Sequence, residues 1–278
     1  MYQQHHKLNM AGVLTSAFSF LKFMKLEKAS KSKSYMRVAL QGASGSGKTY
    51  SALRLAFGLT QSNNIAIVDT ENGSAHLYSS IGDYQVLQLT APFTPERYIE
   101  AIDVCIANGV QTIVIDSLSH EWEGNGGILE MHGSSTGSNS FANWAKITPR
   151  HNALIQHILN TPAHVIATLR SKQEYALKKD DRGRSTPEKL GMKPIQKDGI
   201  DYEFTTVLSV DMNHKAVAVK DRTGLFPLDT PFTITEEVGK RLLQWSREEV
   251  VQPSERTPQQ PAALSNNHLN EYHNAYGN

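Results

Sequence analysis

A glycine-rich segment near the start of the chain has the residue types and spacing needed to hold phosphate. Residues Gly42 to Thr49 match the pattern G-x-x-x-x-G-K-[ST] in full. An apolar run, 36–40, precedes them and a helical pattern, 50–59, follows them, which is the strand–loop–helix context that this motif requires. Glycines let backbone N–H groups close on a polyphosphate, and the positive end of the helix dipole adds attraction. The segment therefore predicts a binding site for a nucleoside triphosphate.

Side chains at this loop and at one later strand have distinct expected roles. Lys48 can reach the β- and γ-phosphates of ATP, and Thr49 can hold Mg²⁺. Asp116 ends an apolar strand, 113–115, in the Walker B pattern that holds the same Mg²⁺, although it could instead only cap the next helix. We expect the nucleotide to contact Gly42, Ala43, Ser44, Gly45, Ser46, Gly47, Lys48, Thr49 and Tyr50.

Hydrolysis also needs a base for the attacking water, and two groups of carboxylates compete for that role. Glu71 follows a short β-branched strand, 65–68. A parallel sheet brings the carboxyl ends of its strands to one edge, so Glu71 can face the γ-phosphate and orient water. Glu121 and Glu123 follow Asp116 and are the rival candidates. We favour Glu71.

The elements that must position these residues alternate between strands and helices. Strands are predicted at 65–68, 84–89, 111–115 and 163–169, and helices at 95–107 and 141–159. Thr94 and Pro95 are expected to begin the first helix as N-cap and N1, and Pro149 to interrupt the second. This alternation predicts an α/β fold with a mainly parallel sheet flanked by helices. Strands at 204–210 and 216–220 predict a small antiparallel addition, followed by a helix at 236–245.

Composition narrows the class of protein. A chain of 278 residues with a net charge of +1 suits one large α/β domain and lacks the basic excess of a nucleic-acid coat protein. Contact with nucleic acid must therefore be local or shared among subunits. Cys105 is the single cysteine, which excludes a disulfide framework and indicates a reducing cytoplasm. We expect it to be a small buried apolar residue.

The two ends of the chain differ in character from the middle. Residues 1–25 read as an amphipathic leader with Leu14, Phe18 and Leu21 at helical spacing, too short and too polar to cross a membrane. Translation from Met24 is the alternative. Residues 250–278 are rich in Pro, Gln, Asn and Ser and are typical of a disordered tail. The phosphate-loop domain is expected to span 26–249.

Several runs resemble a known family. Residues Val68 to Glu71 are similar to the strand-Asp-x-Glu segment of the RecA family, whose glutamate activates water. The runs 67–75, 115–124, 148–152 and 165–172 resemble a phage group of RecA-like AAA ATPases and nucleotide-binding proteins. That group includes the fourth Sak class of single-strand annealing proteins. The likeness spans roughly 26–246 and excludes the leader and the tail.

The resemblance implies a RecA-like P-loop NTPase core that works as a homo-oligomer, with ATP and Mg²⁺ at the subunit interfaces. In that architecture a neighbouring subunit supplies positive charge to the γ-phosphate. Lys193 and Lys197 are the candidates for this role. Arg170 and Lys172 follow the strand 163–169 near the nucleotide edge and could sense phosphate. The alternative for both pairs is that they are solvated surface cations.

Two stretches fall where RecA-like proteins place loops that contact DNA, and both are predicted to be flexible: Gly124 to Ser140 and Lys172 to Lys193. A basic cluster beside an aromatic side chain suits single-stranded DNA, because phosphates meet cations and a base can stack. The alternative is a solvated loop whose charge is offset by nearby carboxylates. The second stretch holds Tyr175, Lys178, Lys179, Arg182, Arg184 and Lys189, with Asp180, Asp181 and Glu188 as the carboxylates.

Three functions remain open at this point. The first is a Mg²⁺-dependent ATPase that acts on single-stranded DNA in phage recombination or annealing, in the host cytoplasm, with a single-strand-binding protein as a further candidate partner. The second is a nucleotide-gated adaptor or loader with slow hydrolysis. A kinase is the third, but it lacks a recognisable acceptor site or lid. His120 and His151 are interpreted as hydrogen-bonding groups, and Trp122 and Trp144 as core or interface residues.

Overall fold

The structure of the protein is a computed structural model. It describes residues 30, 34–60, 64–135, 140–179, 185–227 and 229–248. The predicted leader and tail lie outside the described residues, and the predicted domain boundaries stay predictions.

The strands form an eight-stranded sheet in the order β3-β2-β4-β5-β1-β7-β8, with β6 paired to β5 outside this path. All pairs among the first five strands and the β1–β7 pair are parallel, whereas β5–β6 and β7–β8 are antiparallel. The predicted α/β class and the small antiparallel addition are confirmed. The bounds are β1 Arg37–Gly42, β2 Ile65–Asp69, β3 Gln85–Gln88, β4 Thr112–Asp116, β5 His164–Lys179, β6 Ser185–Pro194, β7 Thr206–Val210 and β8 Ala216–Asp221.

Helices cover both faces of the sheet. Their bounds are α1 Lys48–Leu59, α2 Pro95–Ala107, α3 Ser119–Glu123, α4 Ile128–Ser134, α5 Ser140–Asn160 and α6 Glu236–Arg247, with 3₁₀ turns at Ser74–Ile81 and Ile200–Glu203. Within the part of the chain that the structure describes, none of these helices is long and apolar enough to cross a membrane.

The sheet has a hydrophobic core on each of its two faces, because successive side chains of a strand point to opposite faces. In β1, Val38 and Leu40 join a core with α1 and α6, while Ala39 joins a core with α2 and α5. In β4, Val114 likewise joins the core with α1 and α6, whereas Ile113 and Ile115 join the core with α2 and α5. Cys105 is buried in the α2 core, as expected. Burial on both faces explains why these strands read as continuous apolar runs.

Of two local predictions about helices, the interruption at Pro149 was wrong and the start of α2 at Thr94 and Pro95 was confirmed. Helix α5 is not interrupted at Pro149, which lies inside it. Pro149 is exposed, while Ile147, His151 and Leu154 are buried, so packing of the opposite stripe maintains the helix despite the lost hydrogen bond. Thr94 does occupy the N-cap position of α2 with Pro95 after it, but its side chain makes no capping hydrogen bond.

The two stretches predicted to be flexible contain regular structure. Helix α4 lies within Gly124 to Ser140, of which 136–139 fall outside the described residues. Beyond Leu169, β5 continues into an antiparallel ribbon with β6, from the pair Ser171↔Pro194 to the pair Lys179↔Ser185. This ribbon is called the β5–β6 hairpin below. Its residues are mostly polar, and the partner strand supplies the hydrogen bonds, so no apolar pattern signalled it.

The contact between α1 and α6 requires two glycines. A Cβ on Gly58 would lie 1.9 Å from the carbonyl oxygen of Glu236, and one on Gly239 would lie 2.3 Å from the carbonyl oxygen of Leu55. Backbone atoms cannot yield as a flexible side chain can, so the two helices must separate if either glycine gains a methyl group.

We expect Gly58→Ala to lower the free energy of unfolding by about 1–3 kcal/mol, the usual cost of overpacking a close contact. Urea denaturation measures it. Gly133→Ala is the matched control, because its Cβ would meet nothing within 4 Å and the change in a helix should be neutral or stabilising. Equal effects of the two substitutions would contradict the close contact.

Candidate nucleotide site

The candidate residues meet because the carboxyl ends of four parallel strands form one edge. Gly42, the last residue of β1, lies beside Arg170 of β5. Asp69, the last residue of β2, lies beside Asp116, the last residue of β4. This register places the phosphate loop, Glu71 and Asp116 at one edge of the sheet, where they were expected. Ligands of open α/β sheets bind at this edge.

Asp116 is the centre of the site. Its carboxylate is buried, and burial raises its pKa although two hydroxyls bind it. The Thr49 hydroxyl donates to Asp116 Oδ2 over 2.6 Å, and the Thr168 hydroxyl donates to Asp116 Oδ1. Sequence reasoning missed Thr168; its only signal is a hydroxyl within the otherwise apolar run 165–169.

The oxygens of Thr49 and Asp116 fit a magnesium ion. Mg²⁺ prefers hard oxygen ligands and binds through few protein groups together with phosphate oxygens and water. A hydroxyl and a carboxylate oxygen that lie 2.6 Å apart at the first turn of α1 provide such a set. The predicted metal ligands are therefore adjacent in space, as the Walker pattern requires.

The phosphate loop has the backbone conformation that its glycines permit. Gly45 and Gly47 have φ values of 81° and 84°, which side chains disfavour. Lys48 Nζ donates to the Ala43 carbonyl oxygen over 2.7 Å, so the ammonium group lies over the loop. Burial lowers the pKa of Lys48, while Asp116 and Glu71 oppose that shift. Ser44 and Gly45 are exposed at the tip of the loop, and Tyr50 is exposed beside Tyr78.

Asp69 fixes the backbone that presents Glu71. Its buried carboxylate accepts hydrogen bonds from the Glu71 amide over 2.6 Å and from the Ala75 amide over 3.0 Å. Thr70 anchors the same turn, since its amide donates to the Asp116 carbonyl oxygen over 2.8 Å. Asp69 thus has a positioning role that the Asp-x-Glu pattern alone did not reveal.

Arg170 binds Glu71 through two hydrogen bonds. Arg170 Nε donates to Glu71 Oε1 over 2.8 Å, and the terminal nitrogen Nη2 donates to Oε2. Burial favours the neutral acid, but Arg170 outweighs it and holds the pKa of Glu71 below its usual value. The structure places Arg170 on the candidate base; its expected contact with phosphate stays a prediction.

The rival carboxylates lie in different surroundings. Glu121 is fully buried, and its oxygens bind His151 Nδ1 over 3.0 Å and Gln196 Nε2 over 3.1 Å. A buried carboxylate with these partners is a structural group. The hydrogen bond from Glu71 chiefly raises the pKa of Arg170, and the charge of the exposed Glu123 adds to it. Glu123 is therefore close enough to remain the rival of Glu71.

The expectation that the two histidines are hydrogen-bonding groups is confirmed. His151 binds Glu121, and His120 Nδ1 lies 2.7 Å from the Thr70 hydroxyl. Burial and the charge of Arg170 lower the pKa of His120. His120 also stacks on Phe93, with ring centroids 4.9 Å apart.

Lys193 and Lys197 lie along a cleft of about 580 Å³ that is partly walled by Trp122 and Trp144. Lys193 Nζ is 2.9 Å from Asp198 Oδ1 and 3.5 Å from a Glu174 oxygen. Lys197 Nζ donates to Asn152 Oδ1 over 3.1 Å. Within their own chain both lysines bind these partners, so their action on a neighbour's phosphate stays a prediction. The half-buried rings of Trp122 and Trp144 stack with centroids 5.9 Å apart.

We expect Arg170→Met to lower the free energy of unfolding at pH 7 by about 1 kcal/mol, because the pair is partly exposed and screened. The folded-state pKa of Glu71 lies below its ordinary value of 4.5, so the pair stabilises the protein above that pH. The difference between wild type and variant should shrink as the pH falls below 4.5 and Glu71 takes up a proton. Urea denaturation from pH 7 to pH 3 measures it.

Arg222→Met is the control for this pH dependence. It removes a guanidinium that donates to the Tyr202 carbonyl oxygen over 2.9 Å, an acceptor that does not titrate. An effect of Arg170→Met that stayed constant down to pH 3 would rule out Glu71 as the titrating partner.

Comparison with known proteins identifies the family of the chain. A family model described as an AAA domain matches residues 34–256. None of the curated proteins matches the sequence. Solved structures do match, among them one described as a prototypical ATPase from the type III secretion system of pathogenic bacteria, with 12% identity and a TM-score of 0.39. That match covers 75% of this chain and 61% of the other, so the chain spans less than two thirds of that protein. The family model matches most of the chain, and the matched range includes the phosphate loop, so this protein belongs to the AAA-domain family.

Proposed function

We propose that the protein is a Mg²⁺-dependent ATPase of RecA-like type that acts on single-stranded DNA in phage recombination or annealing. The observation that carries the proposal is the paired side chains of Glu71 and Arg170. They join the base for water to the first residues of the β5–β6 hairpin. ATP hydrolysis and hairpin position are then coupled through one ion pair.

The residues at the sheet edge support hydrolysis of ATP. Lys48 and the loop amides bind the β- and γ-phosphates, while Thr49 and Asp116 hold Mg²⁺. When bound, Mg²⁺ neutralises charge that develops on the phosphate oxygens. Glu71 orients water and accepts its proton at a carboxylate oxygen. Each carboxylate oxygen accepts one hydrogen bond from Arg170 and keeps a lone pair with which it can accept the proton of water.

The β5–β6 hairpin supports contact with single-stranded DNA. Tyr175 is 56% exposed, and the apolar side chains of Leu190 and Met192 are exposed near it. Exposed aromatic rings accept stacked bases of any sequence. The described cations are partly offset, since Lys178 pairs with Glu188 over 3.6 Å, and the predicted contributors Arg182 and Arg184 lie outside the described residues. We therefore assign affinity to stacking as well as to phosphate contacts.

Assembly into a homo-oligomer completes this proposal. Lys193 or Lys197 of one subunit supplies positive charge to ATP held by the next, where it stabilises the charge of the transferring phosphoryl group. A single-strand-binding protein is a further proposed partner.

A second candidate function is a nucleotide-gated adaptor that loads another replication or recombination protein. The bidentate Arg170 contact favours it, because a carboxylate with a lowered pKa is a weaker base and hydrolysis would be slow. In this alternative, ATP sets the duration of a protein contact, and DNA does not change its turnover.

We expect single-stranded DNA to stimulate ATP turnover, and Glu71→Gln to lower kcat by about 10²- to 10⁴-fold with little change in ATP affinity, since only the base is lost. Lys48→Ala should lose ATP binding. The measurements are phosphate release with and without DNA and the Kd of ATP for each variant.

Glu123→Gln is the matched control, because it makes the same change in the exposed rival. Full activity in Glu71→Gln together with a loss in Glu123→Gln would move the role of base to Glu123. Turnover that DNA does not change would favour the adaptor.

We expect Tyr175→Ala to weaken binding of single-stranded DNA by about tenfold, in line with about 1–3 kcal/mol for one stacked base. Fluorescence anisotropy with a labelled oligonucleotide measures it. The control is Tyr202→Ala, which removes another exposed tyrosine, one that is 69% exposed and lies beside Lys220. Equal losses in both variants would argue against stacking on the hairpin.

A further inference from the structure

The end of β7 and the turn that follows it lie against all three glycines of the phosphate loop. A Cβ on Gly42 would be 2.5 Å from the carbonyl oxygen of Val210, and one on Gly47 would be 2.9 Å from His214 Nδ1. A Cβ on Gly45 would be 3.6 Å from the end of the Met212 side chain. Val210 at the end of β7 and then Met212 and His214 of the turn therefore follow the loop along its length. At Gly42 the glycine is needed for close approach, and at Gly47 it is needed both for close approach and for its φ of 84°.

His214 makes the polar contact in this interface. Its Nδ1 lies 3.0 Å from the carbonyl oxygen of Ser46. A carbonyl can only accept, so the imidazole donates through Nδ1. Ser46 is buried, and its amide donates to Ala43 within the loop over 3.3 Å. The imidazole thus binds the segment of the loop that leads into Gly47 and Lys48.

The turn itself is rigidly built. Asp211 Oδ1 accepts hydrogen bonds from the amides of Asn213 and Lys215 over 2.9 Å and 2.8 Å, and the His214 amide donates to the Asp211 carbonyl oxygen over 3.0 Å. His214 has a φ of 58°, a left-handed conformation that is uncommon for residues other than glycine. Strand β7 also pairs with β1, the strand that ends in the loop.

We propose that His214 is a positioning residue for the phosphate loop. Its hydrogen bond to Ser46 holds the loop in the conformation that binds ATP, so the antiparallel addition is part of the nucleotide site. The proposal rests on the proposed ATP binding only for its functional effect; its structural effect on the loop is independent of ATP. Preorganised donors bind phosphate more tightly because no ordering cost is incurred on binding.

Two substitutions separate the imidazole from the backbone angle. His214→Gly removes the donor and adopts a φ of 58° without strain. His214→Asn keeps a short donor in a residue that tolerates the same angle. Lys215→Ala is the control in the same turn, because its ammonium group donates to the Thr233 hydroxyl over 2.7 Å and is not a partner of Ser46.

The first measurement is hydrogen exchange of the amides in residues 42–49 without nucleotide. The second is the Kd of Mg²⁺-ATP. We expect His214→Gly to exchange these amides faster and to bind ATP about fivefold more weakly, the size of one lost hydrogen bond. His214→Asn should restore both values, and Lys215→Ala should change neither.

Wild-type exchange and affinity in His214→Gly would overturn the proposal, as would a His214→Asn variant as impaired as His214→Gly. If the wild-type protein bound no ATP, the proposed function would fail, and exchange of the loop amides alone would decide the role of His214.

Discussion

The burial of the Asp116 carboxylate is the constraint on which the site depends. A carboxylate removed from water must be bound by donors or by a cation. Here the donors are the hydroxyls of Thr49 on α1 and Thr168 on β5, so three separate elements meet at one group. The same two oxygens would provide the charge for the proposed metal ion beside the phosphate loop. Stability of the sheet edge and the proposed binding of Mg²⁺ therefore depend on the same group.

The ion pair between Glu71 and Arg170 connects this edge of the sheet to the β5–β6 hairpin. Asp69 fixes the backbone of Glu71, and the register of β5 beside β1 fixes Arg170. The β5–β6 hairpin begins at the residue after Arg170. Displacement of its first residues would therefore move the Arg170 guanidinium relative to Glu71. A weakly basic Glu71 with both oxygens bonded to Arg170 is compatible with low basal turnover and with stimulation by whatever binds the hairpin. This is why DNA dependence of hydrolysis discriminates between the two proposed functions.

The antiparallel strands β7 and β8 extend the site on the opposite side. The end of β7 and the turn that follows it touch the three glycines of the phosphate loop, and His214 adds a hydrogen bond there. The loop is thus enclosed by its own helix, by the parallel strand ends and by this turn. Such enclosure reduces the conformational freedom that the loop would lose on binding a triphosphate.

The sequence by itself determined the phosphate loop, the α/β class and the placing of Glu71 and Asp116 at one sheet edge. These features depend on local backbone chemistry and on the apolar periodicity of strands buried on both faces. Only the tertiary structure decided that Arg170 binds Glu71, that Thr168 binds Asp116, that Glu121 is buried with His151, and that His214 touches the loop. The tertiary structure also shows that a segment predicted to be a flexible loop forms the β5–β6 hairpin. The physical reason is that these contacts join residues far apart in the chain, so they follow from strand order and register, which local patterns do not encode.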